Sequence, residues 1–181
     1  MKKVSFFEEF IKNWREVGSI TPSSKFLVKK MLETVDFENA KIIVELGAGS
    51  GIMTRELLKR MNKEAKLIVF ETNKDFYKDL KKVNDKRMVV YNQSALNLEK
   101  YFNIETVDYI ISGVPLSNLP PLDKKNLLLL SYKSLRSKGR YVQFQYSLDS
   151  KKDYKNAFDK VEIDFTPLNI PPAFVFSCVK K

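Results

Sequence analysis

Residues 43–51, IVELGAGSG, place an apolar run directly before a turn that has a glycine at every second position. Such a run is typical of a buried strand, and glycine lets the backbone adopt positive φ values that other residues rarely reach. The residues that follow, IMTRELLKRM, have the spacing of an amphipathic helix. The stretch therefore predicts a strand, a tight turn and a helix, an arrangement that commonly binds a nucleotide.

Further strand patterns recur along the chain and alternate with helical patterns. The predicted strands are 41–46, 67–71, 88–91, 107–112 and 139–146. This alternation predicts a mostly parallel sheet. After a helical pattern at 149–158, two more strands at 161–165 and 173–179 flank a proline-rich bend and predict an antiparallel pair that closes the sheet edge. We therefore expect an α/β chain with a seven-stranded sheet and an antiparallel C-terminal strand pair.

Composition limits the classes of function. At 181 residues with 44% hydrophobic content, we expect one domain, 1–181, with N-terminal helices in 1–35 and the core in 40–181. Histidine is absent, which disfavours hydrolase triads and predicts no metal site. A single cysteine, Cys178, and the lack of a leader pattern favour the cytoplasm. The net charge of +10 indicates an anionic partner, nucleic acid or acidic lipid, or else only lysine-rich solvated faces.

The glycine spacing distinguishes between nucleotides. A dinucleotide turn needs a small residue where this chain has Ile52, and a phosphate loop needs a following Gly-Lys-Ser/Thr that is missing. The stretch from Glu45 through Gly47, Gly49 and Gly51 resembles instead the first motif of Rossmann-like, class I methyltransferases that use S-adenosyl-L-methionine. The resemblance implies that the glycines pass close to this cofactor and that Glu45 reaches its ammonium group.

The ends of the second and third strands supply further candidates. Glu71 follows Gly51 by 20 residues, where a carboxylate can accept hydrogen bonds from both ribose hydroxyls. Many methyltransferases have an Asp after the third strand that accepts the adenine amino group. This chain has Ser94 there, whose hydroxyl accepts such a bond more weakly. Glu71, Thr72, Ser94 and Ala95 are therefore predicted to bind the cofactor.

The end of the fourth strand bears on the methyl acceptor. Amino-methylating enzymes of DNA and RNA carry an Asn-Pro-Pro-Tyr type motif at this place, in which the Asn holds the amine and the aromatic ring stacks on the base. The corresponding residues here are Gly113 and Leu116. The platform for a base is therefore missing, and nucleic acid is the less favoured acceptor.

Several elements together resemble the bacterial phospholipid N-methyltransferases, which convert phosphatidylethanolamine towards phosphatidylcholine. They are WREVGSITPSS at 14–24, VELGAGSGIMTREL at 44–57, ISGVPL at 111–116, YVQFQYS at 141–147 and NIPPA at 169–173. The resemblance implies that Ser24 and Ser112 contact the cofactor, and that Ser112, Gly113 and Tyr146 hold the headgroup. A Tyr at a strand end is also commonly a packing residue. A more distant similarity is to ribosomal RNA adenine dimethylases.

The N-terminal segment bears on the partner. Ser5 and Glu8 have capping-box spacing, and the predicted helix carries one apolar stripe flanked by lysines, comprising Phe6, Phe7, Phe10, Ile11, Trp14 and Val17. The stripe can close over the cofactor as a lid, lie in an anionic membrane surface, or do both. We expect a peripheral enzyme on the inner face of the membrane that methylates an aminophospholipid. The alternatives are an RNA adenine N-methyltransferase, a methyltransferase of another amine such as an ornithine lipid, and an inactive binding module.

Overall fold

A computed structural model describes residues 22–101 and 105–181 of the protein. Its α-helices are α1 (Pro22–Leu32), α2 (Ile52–Arg60), α3 (Lys74–Lys81), α4 (Pro121–Ser134) and α5 (Lys151–Ala157). Its strands are β1 (Ile42–Leu46), β2 (Lys66–Phe70), β3 (Met88–Tyr91), β4 (Val107–Ser112), β5 (Leu135–Gln145), β6 (Lys160–Thr166) and β7 (Ala173–Val179). Two 3₁₀ helices span Ala95–Lys100 and Leu116–Asn118. The predicted helix with the Phe6 to Val17 stripe lies outside the described residues.

All seven strands form one sheet in the order β3-β2-β1-β4-β5-β7-β6. The neighbours from β3 to β5 pair in parallel, whereas β7 is antiparallel to both β5 and β6. The predicted mostly parallel sheet with an antiparallel C-terminal pair is therefore confirmed. The chain inserts β7 between β5 and β6, so β6 and not β7 is the edge strand.

The sheet separates two apolar clusters, because successive side chains of a strand point to opposite faces. In β1, Ile43 packs on the face covered by α1, α2 and α3, whereas Val44 packs on the face covered by α4, α5 and the first 3₁₀ helix. Both side chains are fully buried. The apolar run that predicted a buried strand thus packs between two layers of helices.

The beginning of β5 differs from the prediction. The strand begins at Leu135 and not at 139, and its register against β4 shifts between Val107 and Tyr109. Lys138 has a φ of 64°, directly before Gly139. A glycine after a residue with positive φ is typical of a turn. In the structure, Lys138 and Gly139 instead form an irregularity inside the strand. Within the described ranges, no helix is long and apolar enough to cross a membrane.

Candidate active site

A cleft of about 1030 Å³ opens where the parallel strands end at their carboxyl side. In an open α/β sheet this edge is the usual ligand site, because the loops after neighbouring strands converge there. Nine of the predicted residues line the cleft, namely Glu45, Gly47, Gly49, Glu71, Thr72, Ser94, Ala95, Gly113 and Tyr146. Gly51 and Ser112 do not line it. Ser24 lies in the first turn of α1, and its side chain is outside the described part of the structure.

The glycine turn after β1 passes directly beneath the cleft. Gly47, Gly49 and Gly51 have φ values of 71°, 54° and 78°, so each adopts the left-handed conformation that favours glycine. A Cβ at Gly49 would meet no atom within 4 Å and would enter the open cleft. A Cβ at Gly51 would lie 2.9 Å from Leu80 Cδ2 of α3. The absence of a side chain at Gly51 therefore allows α2 and α3 to pack closely, and its predicted contact with the cofactor stays a prediction.

Glu71 is fixed by the backbone on both sides of its carboxylate. Its Oε2 accepts a hydrogen bond from the Gly49 N–H at 2.8 Å, and its Oε1 accepts one from the Asn73 N–H at 2.7 Å. Asn92 Nδ2 donates to the carbonyls of Glu71 and Thr72 at 2.8 and 3.0 Å, which holds the loop in place. A carboxylate has about four acceptor positions, so both oxygens can still accept from a diol in the cleft. Asn73 and Asn92 were not among the residues predicted from the sequence.

Glu45 is a buried acid at the floor of the cleft, with 2% of its surface exposed. The pKa of its carboxyl is raised to about 7: burial is the main cause, the hydrogen bond from Thr54 opposes the shift, and the charge of Glu71 contributes to it. Thr54 Oγ1 donates to Oε2 at 2.7 Å. A cation bound in the cleft would favour the ionised carboxylate. Thr54 was missed, although its position in the first turn of α2 brings it beneath the strand that carries Glu45.

Ser94 has a structural partner as well as a place in the cleft. Its hydroxyl oxygen accepts a hydrogen bond from the Leu96 N–H at 3.2 Å and caps the 3₁₀ helix that begins at Ala95. A hydroxyl has two lone pairs and one proton, so it can make a further bond to a ligand. The predicted contact with an adenine amino group is compatible with this geometry and stays a prediction.

Gly113 is required by a close approach between two loops. Its N–H donates to the Leu46 carbonyl at 2.7 Å, and a Cβ there would lie 2.8 Å from the carbonyl oxygen of Gly47. Real side chains essentially never come so close to a backbone oxygen. An Asn, as found in the amino-methylating enzymes of nucleic acids, therefore does not fit this backbone.

Ser112 is buried beside the cleft, and its predicted contact with headgroup and cofactor stays a prediction. The side chain is fully buried, and its oxygen accepts from the Val114 N–H at 3.3 Å. Side chains alternate along β4, and Ile111, not Ser112, points into the cleft. Two buried side chains secure the same loop, because Tyr141 Oη donates to Gln143 Oε1 and Gln143 Nε2 donates to the Val114 carbonyl. Ser112 therefore shapes the wall of the cleft from behind.

Tyr146 lies at the opposite wall together with a residue that the sequence reasoning did not select. Burial raises the pKa of Tyr146 to about 12, and a hydrogen bond with the side chain of Asn169 opposes part of the shift. Asn169 is 4% exposed, lines the cleft and donates from Nδ2 to the Pro171 carbonyl at 2.7 Å. Asn169 is the first residue of the NIPPA element at 169–173, and this was the feature of the sequence that could have indicated a role in the site.

A smaller cavity of about 270 Å³ adjoins this wall. It shares with the main cleft the loop after β4 and the end of β5, and it extends towards Ser147 and Asp149. Leu27, Val28 and Met31 of α1 add an apolar wall to the main cleft. The site therefore has a polar part beside the glycine turn and a second part between the loop after β4 and Tyr146.

The polar part suits S-adenosylmethionine in chemistry and shape. Two carboxylates, Glu45 and Glu71, can take the ammonium and the ribose hydroxyls, and the absence of a Cβ at Gly49 leaves room beside the backbone. Arg55 also lines the cleft, where its Nη1 donates to the Ser50 carbonyl at 2.8 Å. It is a further candidate, unassigned from the sequence, for the carboxylate of the cofactor.

Comparisons with known proteins agree with the fold and cofactor. The family model described as ribosomal RNA adenine dimethylase matches residues 16–134. The chain is 28% identical over 179 residues to an ornithine lipid N-methyltransferase of Singulisphaera acidiphila, covering 96% of this chain and 93% of that protein. It is 31% identical over 94 residues to the ribosomal RNA small subunit methyltransferase A of Mycoplasma capricolum, covering 49% and 34%.

A solved structure extends the comparison to the fold. The 1,6-didemethyltoxoflavin-N1-methyltransferase of Burkholderia thailandensis, solved with S-adenosylhomocysteine, superimposes with a TM-score of 0.73 at 12% identity and covers 96% of this chain and 86% of that one. The likeness confirms the class I, Rossmann-like methyltransferase fold.

Proposed function

The chain belongs to the ribosomal RNA adenine dimethylase family and is an S-adenosylmethionine-dependent methyltransferase, and from this premise we propose that its methyl acceptor is the amine of a lipid headgroup. Phosphatidylethanolamine is the first candidate, and an ornithine lipid is the second. The second is supported by the relative of that name, which matches nearly the whole chain.

The observation that carries the proposal is the loop after β4. A side chain at Gly113 would collide with the Gly47 carbonyl, so the amide that holds a nucleobase amine has no place there. Leu116, at the position of the base-stacking ring, is fully buried in the core. A base would therefore find neither of the groups that recognise it in nucleic acid amino-methylases.

Other polar groups face the second part of the cleft. The Tyr146 hydroxyl and the Asn169 amide are hydrogen-bonded to each other and line the wall towards Val114 and Pro115. An amide oxygen or a phenol oxygen can accept from an amine N–H and direct its lone pair. The Tyr146 ring can also contact a methylated ammonium through a cation–π interaction. We assign the acceptor amine to this wall.

Catalysis then requires positioning more than acid–base chemistry. When bound, S-adenosylmethionine supplies an electrophilic methyl group. Glu45 and Glu71 would hold it on the glycine turn, while the loop from Gly113 to Pro115 and Tyr146 hold the uncharged amine in line with the methyl. The amine nitrogen would bond to the methyl as the S–CH₃ bond breaks, S-adenosylhomocysteine would leave, and the methylated ammonium would release a proton to water. Correct placement alone can supply roughly 7–11 kcal/mol, so the lack of histidine is no obstacle.

The partner in this proposal is an anionic membrane surface, reached from the inner face. The net charge of +10 and the predicted N-terminal stripe support it. RNA adenine methylation is the second candidate function, because the family model carries that name and the same charge suits nucleic acid.

Methyl transfer from labelled S-adenosylmethionine tests the acceptor. The purified protein is offered vesicles of phosphatidylethanolamine, vesicles of ornithine lipid, phosphatidylcholine vesicles that have no free amine, and unmethylated ribosomal RNA. We expect label in one or both amine lipids. Label in RNA but in none of the lipids would replace the proposal with the second candidate.

A variant pair tests the assigned wall. Tyr146→Phe should lower the rate on lipid about tenfold, while calorimetric affinity for the cofactor changes little. Tyr132→Phe is the matched control, because this tyrosine on α4 bonds Asp159 at 3.0 Å and does not line the cleft. Equal rates for both variants would contradict the role of Tyr146.

A further inference from the structure

The loop between β6 and β7 exposes its apolar side chains and buries a polar one. Leu168 and Ile170 are 60% and 75% exposed, whereas Asn169 between them is 4% exposed and lines the cleft. A surface loop normally turns polar groups to water and avoids the cost of hydrated Leu and Ile. The loop therefore presents an apolar tip at the mouth of the acceptor side.

Helix α1 extends this tip. The helix packs against β5, β6 and β7, and its inner residues line the cleft. Lys25, Phe26 and Lys29 are exposed and lie within one 100° arc of the helix. Phe26 is 45% exposed. Lys30 joins α1 to β6 through Asp164 at 3.5 Å. The two elements therefore form one rim, which we define as Lys25, Phe26, Lys29, Leu168 and Ile170.

We propose that this rim docks onto an anionic phospholipid bilayer and places the cleft mouth at the headgroups. The inference rests on the proposed function and deepens it. Apolar side chains beside lysines are the composition that binds an anionic interface, where lysine meets phosphate and the apolar groups enter the acyl boundary. Asn169 then faces the cleft while its two neighbours enter the lipid.

The sequence that precedes α1 supports a bilayer over a protein partner. Residues 1–21 join α1 at Pro22, four residues before Phe26, which corresponds to about 6 Å along a helix. These residues contain the predicted membrane-binding stripe. A bilayer on the rim would let the headgroup enter the cleft while its acyl chains stay in the lipid.

The experiment uses the full chain and two variants. Leu168→Glu/Ile170→Glu alters the rim. Leu129→Glu is the control, because Leu129 is 44% exposed on α4, which covers the opposite face of the sheet. Sedimentation is measured with vesicles of phosphatidylglycerol and phosphatidylethanolamine, and with vesicles of phosphatidylcholine and phosphatidylethanolamine. Methyl transfer is measured on the first vesicles and on monomeric dihexanoyl phosphatidylethanolamine.

The expected result is selective for the anionic bilayer. The rim variant should bind the phosphatidylglycerol vesicles about tenfold or more weakly and methylate their lipid correspondingly slower. Its rate on the monomeric lipid should equal that of the parent protein. The control should match the parent in every arm. If none of the proteins transfers methyl to the monomeric lipid, the proposed function is contradicted. The sedimentation measurements test the docking of the rim separately, because they do not depend on catalysis.

Three results would overturn the docking proposal. The first is equal vesicle binding by the rim variant and the parent, or no binding by either. The second is an equal loss in the Leu129→Glu control, which would mean a general effect of charge. The third is a red shift of Trp14 emission in the rim variant without vesicles, because it would show that residues 1–21 cover the rim.

Discussion

Replacing Glu45 by Gln should stabilise the protein without cofactor at neutral pH and weaken the binding of the cofactor. The carboxyl lies in the floor of the cleft, 2% exposed, with Thr54 as its hydrogen-bond donor. Raising its pKa from 4.5 to about 7 corresponds to about 3 kcal/mol, since each pH unit is worth about 1.4 kcal/mol.

The sign follows from proton binding. The folded chain holds the Glu45 proton more tightly than the unfolded chain, so the free energy of unfolding falls as the pH rises from 4.5 to about 7. Above about pH 7, Glu45 is ionised in both states and the full loss of stability is present. Glutamine does not titrate. Relative to the parent, Glu45→Gln should therefore gain about 2 to 3 kcal/mol between about pH 5 and about pH 8.

Urea denaturation at the two pH values, without cofactor, measures this change. An unpaired Nε2 of the new amide would lower the stability of the variant equally at both pH values. It therefore does not affect the change in stability between the two pH values. Thr54→Val removes the bond that favours the ionised form and should steepen the loss of stability with pH. If the difference in unfolding free energy between Glu45→Gln and the parent changes by less than about 0.5 kcal/mol between the two pH values, the raised pKa is refuted.

The remaining predictions concern the turn, the loop after β4 and the N-terminus. Glu71→Ala should weaken S-adenosylmethionine and S-adenosylhomocysteine about tenfold or more in calorimetry, because hydrogen bonds to a carboxylate are strong; unchanged affinities would exclude its contact with the ribose. Gly113→Asn should lower the free energy of unfolding by about 1 to 3 kcal/mol in thermal unfolding, because its Cβ would lie 2.8 Å from the Gly47 oxygen; a fully stable variant would show that the loop can move aside. The emission of Trp14, the single tryptophan, should shift to the blue with anionic vesicles and lose the shift in salt; indifference to such vesicles would leave the predicted stripe only the role of a lid.

The cofactor half of the site could be predicted from sequence because its determinants are local. The strand before the turn, the alternate glycines and the acid at the end of β2 each depend on a few neighbouring residues. The structure places Glu45, Gly49 and Glu71 in one cleft, as expected. Gly51 belongs to the same pattern, yet its contact with Leu80 is a packing contact between helices that the pattern does not reveal.

The acceptor half depends on contacts between distant segments. Gly113 meets the Gly47 carbonyl across two loops, and Asn169 reaches Tyr146 from another pair of strands. Ser112 was expected at the cleft from the family resemblance; in the structure its side chain is buried, and the neighbouring Ile111 lines the cleft. A one-residue alternation decides which side chain faces a ligand.

The sequence alone thus determined the succession of strands and helices along the chain, the left-handed turn and the acidic residues that suit the cofactor, since backbone preferences and periodicity act over a few residues. Tertiary structure decided the insertion of β7 between β5 and β6, the exclusion of a side chain at Gly113 and the pairing of Tyr146 with Asn169. These features arise where segments far apart in the chain meet, and packing there is set by the whole sheet and not by any one segment.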